Sequence, residues 1–381
     1  MMASAAALGG WLQRTVPGTA RERATALWSF AYFFTLLAGY YVLRPLRDQM
    51  GIAGGTKNLP WLFTATFVSL LVAQPIYGAL VARLPRVRFI PIVYHFFVGN
   101  LILFWLLLFL DVEKVIVARV FFVWVSVFNL FAVAVFWSFM ADLFTSEQGK
   151  RLFGFIGAGG TAGALLGPIV TIWLSTPLGP VNLLVVAAAF LEVAVLCVRR
   201  IERLVEPPAE VDTRQRIGGS AFAGLSELIH SPYLLGVAGW VSLLSFGATI
   251  AYFAQANIVS ATIHGAAAQT RLFASIDLAV GLLSLGTQLL ATAAFLKRFG
   301  TGIAAAALPA IYVAGFGAVA IAPSLSVVVI PGRATLDEFC NRKSGATGLL
   351  HRGWARGKVQ GQESDRRRDL SWLGRVVWLG L

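Results

Sequence analysis

ALWSFAYFFTLLAGYYVLRPLRDQM, residues 26–50, is the stretch that decides the fold. It is apolar over the length of a membrane helix, about 20 residues at 1.5 Å each. Towards its end it holds Arg44, Arg47 and Asp48, where a membrane helix is still expected to lie in the bilayer. Charge at that depth costs about 2.5–3.5 kcal/mol per residue on insertion scales, so it marks a functional site by default. Arg44 and Arg47 are spaced i,i+3 and share a helix face, while Arg44 and Asp48 are spaced i,i+4 and can pair. Pro45 between them removes a backbone donor and loosens the turn behind it. A loosened helix carrying cations has the form of an anion site inside a transporter.

The composition places the rest of the chain in the same solvent. Of 381 residues, 57% are hydrophobic and 13% charged, against about 25% charged in a soluble domain. The mean hydropathy is +0.75. The formal charge of +13 reads as basic loops on the cytoplasmic side, so no nucleic-acid partner is expected. The two cysteines, Cys197 and Cys340, form neither a disulfide framework nor a metal-ligand spacing. No nucleophile elbow, P-loop or His–Glu metal motif occurs, and the four histidines are scattered. Neither an enzyme nor a cofactor is expected. No basic region precedes the weak apolar run MMASAAALGGWL, so the first span is read as an uncleaved insertion signal.

Hydrophobic blocks predict helices near 26–50, 60–82, 89–110, 115–141, 152–174 and 181–199. A polar stretch follows, then helices near 232–257, 273–296 and 302–321 and a tenth apolar run from Pro323 to Pro331. With the N-terminus inside, the inner loops carry fifteen Lys and Arg and the outer loops and their flanks four, namely Lys57, Lys114, Arg119 and Arg271. That is a clear positive-inside bias. It puts Arg44 and Arg47 in the outer half of the first helix. The expected protein is an all-α polytopic membrane bundle of major facilitator type, six helices plus an incomplete second half of about four. Its parts are a cytoplasmic N-terminus (1–25), a six-helix half (26–199), a cytoplasmic linker (200–231), an incomplete second half (232–331) and an atypical basic tail (332–381).

The tail holds ten of the 31 Lys and Arg and no segment of spanning length. Three readings are open: a native basic extension, an unusual ten-helix protein, or a change of reading frame near Pro331. The abrupt loss of hydrophobic blocks favours the last.

Several segments resemble known transporters. GALVARLPRVR, Gly78 to Arg88, resembles the glycine-and-arginine loop of the major facilitator superfamily without its usual acid. GTAGALLGP, Gly160 to Pro168, resembles the superfamily's glycine–proline motif in helix 5; Gly163 and Gly167 in it form a small-xxx-small face for close helix contact. YVLRPLRD (41–48), VFWSFMADLFTSEQGKRLFGFIGAGGTAGALLGP (135–168) and FASIDLAVGLLSLGTQLL (273–290) together resemble the ATP:ADP antiporter, or NTP/NDP exchange, transporters of bacteria and plastids. The resemblance covers residues 25–331. It implies twelve helices, a central cavity and exchange of nucleotides for nucleotides or phosphate. It implies a transport role for Arg47, the match to a basic residue on helix 1. The family's acid on helix 4 falls at Val125, and its basic residue near helix 11 falls beyond the break.

The substrate-contact candidates are Arg47 first, then Arg44, Asp277 and Asn129. A guanidinium fork binds phosphate or carboxylate oxygens bidentately and stays charged at any relevant pH. Asp277 is read as an acid that couples protons or cations to transport, as a partner for an arginine across the cavity, or as an outer-end residue in water. Asp48 and Pro45 are read as structural, Asp48 as a partner for Arg44. Asp142, Glu147, Lys150 and Arg151 are read as an inner loop that latches onto Arg83 or Arg86. Glu192 is expected to reach inward to Arg199 or Arg200, and Asn129, His95 and Asn100 to bond between helices.

The expected function is secondary transport of an organic anion across a bacterial inner membrane by a monomer, with ATP, ADP or phosphate as leading substrates. The alternatives are a proton-coupled facilitator for another metabolite or drug, and a non-transporting product of a truncated chain.

Overall fold

The computed structural model describes residues 19–83, 86–204 and 231–291, together with residue 298. Among the described residues there are eight long helices and no strand. They are α1 (Ala20–Ala53), α2 (Leu59–Arg83), α3 (Arg86–Phe109), α4 (Lys114–Leu143), α5 (Ser146–Leu174), α6 (Leu183–Leu204), α7 (Pro232–Thr262) and α8 (Ala266–Gly286). A short 3-10 turn, Thr56–Asn58, links α1 to α2, and a π turn, Thr287–Ala291, extends α8. Six stretches among the described residues are long and apolar enough to cross a membrane. The protein is therefore an all-α membrane helix bundle. The helix predicted at 302–321, the tenth apolar run and the basic tail lie outside the described residues, as does most of the linker.

The helices outlast the hydrocarbon. α1 has 34 residues, about 51 Å of helix against a core of about 30 Å. Its start is set by a capping box: Thr19 accepts from the Glu22 amide, and the Glu22 carboxylate accepts from the Thr19 amide. α5 starts by the same device, with Thr145 and Gln148. It begins six residues before the predicted 152, which corrects the reading of the inner loop. Asp142 lies in the last turn of α4, and Glu147, Lys150 and Arg151 lie in the first turns of α5. Only Phe144 and Thr145 connect the two helices. α8 begins at Ala266 rather than 273, so Asp277 stands in the middle of a helix. α1 runs through Pro45 without a break. What Pro45 withholds is the amide that would have bonded the Tyr41 carbonyl.

The described helices belong to two compact units, one of Met1–Glu206 with Val259–Gly281 and one of Pro207–Ile258 with Leu282–Leu381. In the first, α1 is the central helix, packed against α5, α6 and α4. α6 is the strongly amphipathic member: Leu184, Ala187, Leu191, Ala194, Val198 and Ile201 recur at helical spacing and are buried. α5 meets α1 through glycines. A Cβ on Gly167 would lie 2.7 Å from the Ala38 carbonyl oxygen and 2.6 Å from the Tyr41 Cβ; one on Gly159 would lie 2.5 Å from the Phe30 carbonyl oxygen; one on Gly163 would overlap the Phe34 carbonyl. Glycine lets the two backbones approach this closely. The core beside the seam is aromatic, with Phe33 stacked on Phe136 and Tyr32 and Trp137 edge-on to it. In the second unit, Leu244 of α7 is buried against Trp240 and Ala248.

Candidate functional site

The C-terminal part of α1 gathers the charges that the sequence singled out. Arg44 reaches α8, where its Nη1 lies 3.4 Å from Oδ1 of Asp277. The Arg44 side chain is 35% exposed and that of Asp277 only 7%. The guanidinium of Arg44 also lies 5.6 Å from the centre of the Tyr41 ring. Arg47 turns to α4 instead. Its guanidinium sits 4.5 Å from the centre of the Phe122 ring, and its Nε lies 3.8 Å from Oδ1 of Asp48. The attraction of a cation for a ring face is worth about 0.5–2 kcal/mol, more where water is excluded. Arg119 of α4 completes the cluster: its Nε donates to the Gly54 carbonyl at 2.9 Å, closing the C-terminal end of α1 with a cation.

This arrangement corrects the expected pairing. Asp48 stands beside Arg47, and Arg44 takes its acid from α8. Asp277 is buried, at 6% exposure, and stands beside Arg44 rather than in water. One Asp277 oxygen meets Arg44, while the other, Oδ2, is buried without a hydrogen-bond partner. The Gln49 Oε1, on the turn after Arg44, is in the same condition. Among the described residues neither atom has a partner, and an unmatched buried acceptor costs about 1–3 kcal/mol.

The other candidates lie elsewhere. Asn129 is half-buried on α4, about 10 Å along the helix from Phe122 and outside the cluster. Val125, where the resemblance places an acid, is fully buried in the apolar core one turn from Phe122. The carboxylate opposite the arginines comes from α8, not α4. Gly163 and Gly167 lie in the α1–α5 seam. Trp137 packs edge-on against Phe33, Phe136 and Phe153 as a core residue.

The N-terminal end of α1 carries its own polar contacts. Gln148 of α5 donates to Glu22 of α1 at 2.6 Å, joining the two capping boxes. Arg21 donates to the Leu204 carbonyl at the end of α6. The Thr19 amide, then Gln148, with Arg151 further off, hold the Glu22 carboxyl below its ordinary value. The polar contact shown here joins α5 to α1 through Gln148; the side chains of Arg83 and Arg86, the expected partners of a latch, lie outside the described residues. Asp142 and Lys150 are exposed. Glu192 does not reach Arg199 or Arg200: its Oε2 lies 3.7 Å from Nε2 of His95 on α3. Asn100 bonds the Phe96 carbonyl of its own helix rather than a neighbour.

Reading the sequence missed Phe122 and Arg119. Nothing marks Phe122 among 28 phenylalanines, and Arg119 had been counted with the outer loop charges. Among the described residues, no group of three or more metal-ligating side chains occurs. No family model matches the sequence, and no curated protein matches it.

Proposed function

We propose that the protein is a secondary transporter of major facilitator type that carries a small organic anion by alternating access, with its N-terminus in the cytoplasm of a bacterial cell. The observation that carries this reading is the pair Arg44 and Arg47, held in the outer half of a membrane helix with Asp277 brought to Arg44 from α8. Arginines within a span line a path or a site. In this reading Asp277 stands in for the absent substrate. An arriving phosphate or carboxylate takes its place on Arg44 with two parallel N–H···O bonds, while Arg47, already braced by Phe122, supplies the second fork. In the structure the two arginines are balanced by Asp277 and Asp48. The resemblance of 41–48, 135–168 and 273–290 to nucleotide exchangers makes nucleotides and phosphate, taken in exchange, the leading classes.

The test is uptake of labelled ADP and of inorganic phosphate into liposomes holding the full chain. Arg47→Ala is expected to lower uptake at least about tenfold, the loss of one charge-assisted contact of about 1.5–3 kcal/mol. Uptake unchanged by Arg47→Ala and by Arg44→Ala sinks the anion site.

A second reading, proton-coupled transport, is favoured by one observation, the buried and unmatched Oδ2 of Asp277. Protonation of that carboxyl would release Arg44. Asp277→Asn separates the two: uptake that keeps its pH dependence in this variant counts against proton coupling at Asp277.

A further inference from the structure

A second place where opposite charges meet inside the apolar region lies between α3 and α6. His95 Nε2 is 3.7 Å from Glu192 Oε2, and both side chains are 44% exposed. Their depth follows from their neighbours. Tyr94, next to His95, shares a hydroxyl hydrogen bond with Tyr32 of α1. Phe190, two residues before Glu192, has its Cβ 3.2 Å from where a Cβ on Gly39 would lie. Tyr32 and Gly39 bracket the middle of α1, so the pair sits near mid-span. The surface around it is apolar: Ile92, Phe96, Val193 and Leu196 are all exposed.

The imidazole is locked. Its Nδ1 lies 2.6 Å from the Pro91 carbonyl, which can only accept, so Nδ1 carries a hydrogen and donates it. In the neutral ring Nε2 is then a bare lone pair, and it faces a carboxylate oxygen. Two acceptors at that distance repel unless a proton lies between them. With one proton the couple is neutral as a whole, whether it is imidazolium with carboxylate or imidazole with carboxylic acid. Without it, a net negative charge stands in hydrocarbon, which costs several kcal/mol. A metal ion fits poorly, because among the described residues no third ligand joins the two.

We propose that His95 and Glu192 form a binding site for a single proton within the bilayer, separate from the arginine cluster, and that the proton adds an attraction at mid-span to the apolar packing of α3 against α6. With the proton bound the two side chains attract; without it they repel.

The other charged and titratable groups on the packed elements lie to one side. On α6, Cys197, Arg199, Arg200, Glu202 and Arg203 follow Glu192 towards the inner end. On α3, Arg86 and Arg88 are in the first turn and Tyr94 is turned to Tyr32. On α4, Lys114, Arg119 and Asp142 are near the helix ends. On α1, Tyr32, Tyr40 and Tyr41 are the titratable groups away from the ends, its ions lying in the first turn and the C-terminal part.

The test is nitrogen-15 NMR of the full chain in lipid nanodiscs with all four histidines labelled, His95 being identified by the signal that disappears in His95→Gln. The expected result is an Nδ1 that keeps its proton at every pH, an Nε2 that gains and loses one, and a displaced Nε2 curve in Glu192→Gln while the His264 curve stays in place. A neutral ring protonated at Nε2 overturns the proposal in the unaltered chain, without recourse to any variant. So does an Nε2 curve that superimposes in wild type and Glu192→Gln.

Discussion

Arg44 and Arg47 are one helical turn apart, yet their surroundings set them different tasks. Arg47 is braced on both sides, by the face of Phe122 and by Asp48. Arg44 is more exposed, and its acid comes from another helix. The pair with Asp277 therefore bears on stability as well as on any ligand. Asp277→Asn leaves Arg44 within the span without its acid, whereas Arg44→Gln with Asp277→Asn removes both charges. The single variant is expected to melt below the double variant in detergent, with a coupling of about 1–2 kcal/mol. Equal melting of the two would mean that water or headgroups already serve Arg44. The sequence allowed Asp277 an arginine partner across the cavity but could not say which one. Spacing shows that Arg44 and Asp48 can meet, but it says nothing of a residue on α8. Asp277 stood out as an acid in an apolar run, and the fold identifies Arg44 as the arginine beside it.

At the scale of the helix, ends and faces differ in how plainly they are written. The small-residue face of α5 was legible because glycine at every fourth position has few other uses in an apolar helix. Its contact with α1 gives a sharp contrast. Gly163→Ala is expected to destabilise the bundle by about 1–3 kcal/mol, since its Cβ would overlap the Phe34 carbonyl. At Gly157 a Cβ would meet nothing within 4 Å, so Gly157→Ala is expected to be neutral or to stabilise by up to about 1 kcal/mol. Thermal melts of the two variants in one detergent decide it. The start of α5 was misjudged because its lysine and arginine looked like loop charge. The signal was there in Thr145 and Gln148, a capping box three residues apart. The capping carboxylate of α1 adds a pH dependence. Glu22 sits below its ordinary value, so its contribution is present at neutral pH and is lost as the pH falls through the lowered value. Amide protection in the first turn of α1, taken against the intrinsic exchange rate at each pH, is expected to fall in acid, and Glu22→Gln to flatten that dependence.

For the molecule as a whole, the membrane class followed from composition and block length alone, because bilayer thickness admits few lengths. Orientation rests on loop charge, and it makes a direct prediction. Lys150→Cys is expected to react with an impermeant thiol reagent only from the cytoplasmic side, and Lys114→Cys only from outside, in a chain with Cys197 and Cys340 replaced. The reverse pattern would invert the topology and place the arginine cluster on the inner side. Helix lengths were harder to read, since a helix that leaves the hydrocarbon ends where its caps lie, as α1 and α5 do at Thr19 and Thr145.

The glycine seam also limits how α1 can move. With the carbonyls of Phe30, Phe34 and Ala38 facing Gly159, Gly163 and Gly167, the two helices engage like a rack and its teeth. Sliding by one residue would drive a carbonyl into a side chain, and the next permitted notch lies a four-residue step away, about 6 Å. Small axial creep of α1 along α5 is therefore forbidden. Any displacement of Arg44 and Arg47 must carry α5 with it as one stiff beam.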